Sequence, residues 1–171
     1  LLRSLPIACL VLSTSFLLPG ACPAQDAPEV TELDPGIERS DIPESATLTG
    51  PLAVFAAIEK AWSEEDPEAL VEILDPEEKV TIAFEAGGPL GGYFNRDQAF
   101  FLLKDMFTYS RTDRFEFQRY WNLDSDGRSP YAVALREIRM TDGVEHADQV
   151  YISLRLRGEA WYIGEIRSIN Q

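Results

Sequence analysis

The chain has 171 residues, room for one domain plus an export segment, and a formal net charge of −14 at pH 7. That balance excludes a nucleic-acid binder, which needs a basic footprint along the phosphates. The single histidine cannot complete a two-histidine metal site, and no H-E-x-x-H stretch is present.

Residues 1–24 read as a signal peptide. Arg3 is its positive flank, Ile7 to Leu18 is an apolar run short of a bilayer span, and Pro19-Gly20 breaks it before small residues. One cleavage reading cuts after Ala24, so the mature chain begins at Gln25. In the other, Leu18 to Cys22 resembles a lipoprotein box, with Cys22 acylated as the only membrane attachment. Either cut removes Cys9, so no intrachain disulfide is expected. Residues 25–50 hold seven acids against Arg39 and few large apolar side chains, and are read as a flexible acidic linker. The domain is expected over 51–171.

Gly50-Pro51 opens a helix, with Val54, Phe55, Ile58, Ala61 and Trp62 on one stripe. Glu59 lies at the edge of that stripe and is read as a solvated flank. Asp66-Pro67 starts a second helix with Leu70, Val71, Ile73 and Leu74 on its buried side, and Asp75-Pro76 stops it. Lys79 to Glu85 alternates as a strand. Ala86 to Gly92 lacks the lysine and hydroxyl of a phosphate loop and reads as a hairpin loop into a short Tyr93-Phe94 strand. Asn95 caps a third helix reaching about Tyr109. Phe101 points off its apolar face, either under a neighbouring loop or as a contact surface. Phe115, Phe117 and Trp121 mark another strand. The acids of the turn from Asp124 to Pro130 lack the later glutamate and the helices of a calcium loop.

Tyr131 to Asn170 reads as three long antiparallel strands. Asp142-Gly143 suits a type I′ turn and Gly158-Glu159 a type II′ turn. With two-residue loops, Met140 faces Glu145 and Arg157 faces Ala160. One face then carries Tyr131, Val133, Leu135, Val150, Ile152, Leu154, Leu156, Trp161, Ile163 and Ile169. Trp62, Phe100, Leu103, Phe107, Ile152, Leu154, Trp161 and Ile163 are the expected core between helices and sheet. In this register Glu137, Arg139, His146 and Asp148 share the inner face near the Asp142-Gly143 turn, with Arg139 opposite His146 and Glu137 opposite Asp148. These four are the expected ligand-binding residues, with Arg139 bridging at least one of the facing carboxylates and His146 partly exposed. Glu165 and Arg167 join that face if the last strand is regular. A bulge at Gly164 instead turns Ile166 inward and Glu165 outward.

Helices early and strands late make an α+β layer fold, three helices on a strongly curved antiparallel sheet. Three stretches carry a family likeness: Trp62 to Leu70 (WSEEDPEAL), Gly92 to Ala99 (GYFNRDQA) and Gly158 to Ile163 (GEAWYI). Their order and spacing resemble the nuclear transport factor 2-like superfamily over Pro51 to Asn170, and also small exported bacterial proteins of that fold with unknown function. The resemblance implies a cone of bent sheet closed over helices. It does not choose a function, since the superfamily holds isomerases, dehydratases, cyclases and non-catalytic binding domains. The reading adopted is an exported, non-catalytic module that binds a small ligand or an extracytoplasmic protein without metal or cofactor. The alternative is a small pocket enzyme of isomerase or hydro-lyase type, with His146 and either Asp148 or Glu137 as acid and base. A further alternative is a homodimeric assembly domain using the outer sheet face, where Tyr151, Tyr162 and Ile166 are placed.

Overall fold

Gly143 decides the register of the long strands. In the computed structural model, which describes residues 35–42, 48–84, 91–124 and 127–169, its φ is +87° while Asp142 keeps a negative φ. That excludes the type I′ turn, which needs two positive values. Instead Gly143 N–H donates to the Met140 carbonyl at 2.9 Å and Met140 N–H to the Val144 carbonyl at 2.8 Å. Thr141-Asp142-Gly143 is therefore a three-residue loop, a turn followed by a left-handed glycine. The signal peptide, the lipoprotein box and residues 86–90 of the expected hairpin loop lie outside the described residues.

Seven strands form one sheet: β1 (Ile37–Glu38), β2 (Val80–Ala83), β3 (Gly92–Phe94), β4 (Ser110–Trp121), β5 (Tyr131–Met140), β6 (Glu145–Arg157) and β7 (Ala160–Ile169). Their order across the sheet is β1-β4-β5-β6-β7-β2-β3, antiparallel except where β2 runs parallel to β7. The helices are α1 (Gly50–Ser63), α2 (Pro67–Glu72) and α3 (Arg96–Tyr109). Asp66 caps α2 by accepting the Ala69 N–H. Asn95 and Gln98 exchange side-chain and backbone bonds in a capping box on α3. Residues 37–42 were expected in the linker. Instead Ile37 and Glu38 pair with Tyr120 and Arg119, and Arg39–Asp41 forms a 3-10 turn.

The three-residue loop shifts β5 by one residue against the expectation. Arg139 faces Glu145, Ile138 faces His146 and Arg136 faces Asp148. Because side chains alternate, that slip turns every β5 residue over. Ala132, Ala134, Arg136 and Ile138 point to the helices, and Tyr131, Val133 and Leu135 line the outer face. On β6, Val150, Ile152 and Leu154 face inward as expected, but Leu156 is 55% exposed. The Gly158-Glu159 hairpin has the expected two-residue loop, pairing Arg157 with Ala160. The bulge at Gly164 is present, and it buries Ile166 completely. Ile166 is thus withdrawn from the outer face on which it was placed.

The core lies between α1, α3 and the concave face. Trp62 stacks on Phe115 at 4.5 Å and meets Phe84 and Phe107 edge-on at 5.9 and 6.0 Å. Leu103, Ile152, Leu154 and Ile163 are buried, and Phe107 and Trp161 pack partly buried against them. Each large apolar side chain enclosed here contributes roughly 1.5–3 kcal/mol. Phe100, expected in this core, instead lies at the surface against Phe101, which is 64% exposed.

Candidate functional site

The structure does not bring the four expected site residues together. Glu137 and Arg139 point outward, because the longer loop reverses β5. Arg139 pairs with Asp113 at 3.0 Å and Glu145 at 3.2 Å, not with Glu137 or Asp148. Glu137 lies 4.0 Å from Arg114. His146 is exposed near the start of β6, and the residue opposite it is Ile138. Glu165 is turned away from the core by the Gly164 bulge and pairs loosely with Arg167.

His146 and Asp148 keep the inner phase of β6, but His146 is exposed at the strand's end while Asp148 is partly buried and committed. Arg136 Nε donates to Oδ1 at 2.8 Å and the guanidinium NH2 to Oδ2 at 2.6 Å, while Ser168 Oγ donates to Oδ2 at 2.7 Å. The Arg136 side chain is fully buried, and its guanidinium lies 4.5 Å from the centre of the Phe84 ring. Its other nitrogen contacts Met106 Sδ at 3.7 Å. A bidentate fork with a further hydroxyl satisfies a carboxylate that would otherwise be costly to bury. Trp62 Nε1 has no hydrogen-bond partner among the described residues, but Phe84, Phe107 and Phe115 surround its ring.

An open cleft lies elsewhere, along the edge of β4 that β1 covers at two residues. It has a volume of about 620 Å³ and runs between α1, β4 and the segment from Glu38 to Ile42. Ile42, Leu48, Leu52 and Ala56 form an apolar shelf, and Glu59, Glu116, Gln118 and Tyr120 form the polar side. Glu59, expected to be a solvated flank, accepts the Phe117 N–H at 2.9 Å and the Arg39 guanidinium at 2.5 Å. Helical spacing from Phe55 and Trp62 already put Glu59 beside the buried stripe, and that was its only sequence signal. Arg39 Nε also lies 3.5 Å from Glu116. Arg114 is the main reason the Glu116 carboxyl is held below its ordinary pKa. Burial, with the Glu59 carboxylate nearby, pushes the Tyr120 phenol up to about 12.

The end of α1 continues this edge. Asp66 N–H bonds the Ala61 carbonyl and Glu65 N–H the Trp62 carbonyl, the paired closure of a Schellman motif. Glycine usually takes the left-handed position of that motif, but here it is Glu65, at φ +53°. The same residue's carboxylate accepts the Thr112 N–H of β4. Glu59 and Glu65 thus stand in for a strand at two points along β4, while Arg119 and Tyr120 pair with β1.

The outer sheet face carries a ring ladder. Trp121 stacks on Tyr131 at 4.8 Å, Tyr131 lies 5.3 Å from Tyr151, and Arg167 covers Tyr151 at 4.8 Å. Among the described residues no group of three or more His, Cys, Asp or Glu is placed to hold a metal ion.

No family model matches the chain, and no curated protein matches it in sequence. Its likeness is to solved structures. An NTF2-like protein of unknown function from Burkholderia pseudomallei superposes with a TM-score of 0.55 at 12% identity, covering 72% of this chain and 92% of that one. A ketosteroid isomerase-like protein from Erwinia carotovora atroseptica gives 0.54 at 14%, covering 70% and 93%. A DUF4783 family protein from Bacteroides uniformis gives 0.55 at 13%, covering 68% and 95%. At such identities the likeness speaks for the fold alone. With three helices on one bent, mostly antiparallel sheet, the chain has the nuclear transport factor 2-like α+β fold.

Proposed function

We propose that the chain is an exported, non-catalytic binding module, and that it binds an extracytoplasmic protein in the cleft beside β4. The observation that carries this reading is that the carboxylate reaching the concave face is already engaged. Arg136 and Asp148 pair there through two contacts, and Ser168 donates a third to the carboxylate. An acid–base enzyme there would need His146 beside Asp148 or Glu137 within hydrogen-bond reach. Asp148 is held by Arg136, Glu137 is on the other face, and His146 faces Ile138. The cleft, by contrast, is open and combines an apolar shelf with carboxylates, as a protein-recognition surface does.

The test is site-specific photo-crosslinking in the full exported chain. A benzoylphenylalanine replaces Gln118 in the cleft or, separately, Gln149 on the outer face. The expected result is protein adducts from position 118 and none from 149. Adducts from 149 alone would move the function to the outer sheet face and overturn this reading.

A further inference from the structure

The cleft already holds part of the chain itself. β1 pairs only two residues with β4, and none of the residues from Ile37 to Asp41 is buried. Segments with so little buried area open at low free-energy cost. Here charge adds to the segment's two strand pairs and to the packing of Ile42. Glu38 pairs with Arg119 at 2.5 Å, and Arg39 sits between Glu59 and Glu116. The seat is built independently of Arg39: the Phe117 N–H holds Glu59, and Arg114 holds Glu116. Two carboxylates converging from a helix and a strand match a planar guanidinium, whose nitrogens donate in several directions, better than a lysine ammonium.

We propose that residues 37–39 hold the place of an external partner, an extended protein segment bearing an arginine. That segment pairs with Arg119 and Tyr120 of β4 and sets its guanidinium between Glu59 and Glu116. This rests on the cleft being the binding surface. The apolar shelf of Leu48, Leu52 and Ala56 then takes a hydrophobic side chain flanking the arginine. Strand addition of this kind draws affinity from main-chain bonds and specificity from the side-chain seats. A second copy of the chain is the less suitable occupant. Each copy carries a net charge of −14, so two copies repel, whereas a basic segment is drawn in.

The probe is a fluorescent peptide of residues 35–42, Pro-Gly-Ile-Glu-Arg-Ser-Asp-Ile, read by anisotropy against the full chain. Gly36→Val dislodges the internal strap, because Gly36 has φ +72° and an added Cβ would lie 2.5 Å from Trp121 Nε1. The peptide should bind this variant at least about tenfold more tightly than the unaltered chain. Replacing the peptide's arginine by alanine, or adding Glu59→Gln to the chain, should remove that gain. Glu116→Gln serves the same purpose if Glu59→Gln melts early by circular dichroism. Equal binding to both chains, or binding indifferent to the arginine, overturns the proposal. So does a Gly36→Val chain that sediments as a strap-exchanged dimer. If the peptide fails while crosslinks from position 118 persist, only this inference falls. If both fail, the cleft is not the binding surface.

Discussion

Arg136 and Asp148 face each other across β5 and β6 and join in a two-pronged ion pair, with contacts of 2.8 and 2.6 Å, inside the cone. The pair exists because the preceding hairpin has three loop residues. A two-residue loop would put Glu137 opposite Asp148, two carboxylates, and turn Arg136 out to solvent. One glycine with a positive φ therefore decides whether the concave face carries a satisfied ion pair or two repelling acids.

Removing one partner of a buried pair leaves the other uncompensated. Asp148→Ala should cost about 3–5 kcal/mol, read from the urea midpoint. Arg139→Ala, which breaks half-exposed pairs with Asp113 and Glu145, should cost about 1 kcal/mol or less. The reverse order would restore the two-residue loop.

Packing gives a second contrast along one strand. Leu154 is buried and Leu156 is 55% exposed, although both share the inward phase of β6. Leu154→Ala should cost about 2–5 kcal/mol, and Leu156→Ala about 0.5 kcal/mol or less. Equal losses in thermal melts would mean that the sheet end near Gly158 is covered.

Glu65 combines a strained backbone with a useful side chain. Glu65→Ala keeps the left-handed conformation and loses the bond to the Thr112 N–H, so it should cost about 1–3 kcal/mol. Glu65→Gly loses the same bond but relieves the backbone, recovering about 1 kcal/mol of that. Glycine less stable than alanine at this position in denaturant unfolding would contradict the assignment.

Acid should weaken the fold through Asp75. Burial alone would raise its pKa. The N–H groups of Glu77 and Glu78, at 2.8 and 3.1 Å, and the Arg157 guanidinium at 2.7 Å outweigh it and hold the value below 3.8. A folded value below the unfolded one means stabilisation that is complete above 3.8 and lost as pH falls through the lower folded value. Asp75→Asn should therefore lower the melting temperature at neutral pH, and the two melting curves should converge in strong acid. A constant gap between them across that range would show that the carboxylate's charge is not what stabilises.

The helix starts, the Gly158-Glu159 hairpin and the Gly164 bulge were legible because proline, capping side chains and glycine act locally. The register of β5 was not. Tyr131, Val133 and Leu135 are as apolar as Ala132, Ala134 and Ile138, so alternation cannot say which set is inside. The even set also holds Arg136, whose charge argues for the solvent side unless a carboxylate stands opposite it, as Asp148 does. The cleft was harder still. Its polar seat joins Arg39, Glu59 and Glu116 across long stretches of chain, and no local pattern links a residue of an acidic segment to a helix flank and a strand.

Amide hydrogen exchange on the free full chain tests the central claim most directly, because it asks which part of the molecule opens. A closed cone with a displaceable strap predicts that the amides of Ala134, Arg136 and Val150 exchange only through global unfolding. The amides of residues 37–42 should exchange through local opening, at least about a hundredfold faster. Strap amides protected as strongly as those of β5 and β6 would contradict the account, since the cleft would then be a sealed part of the core.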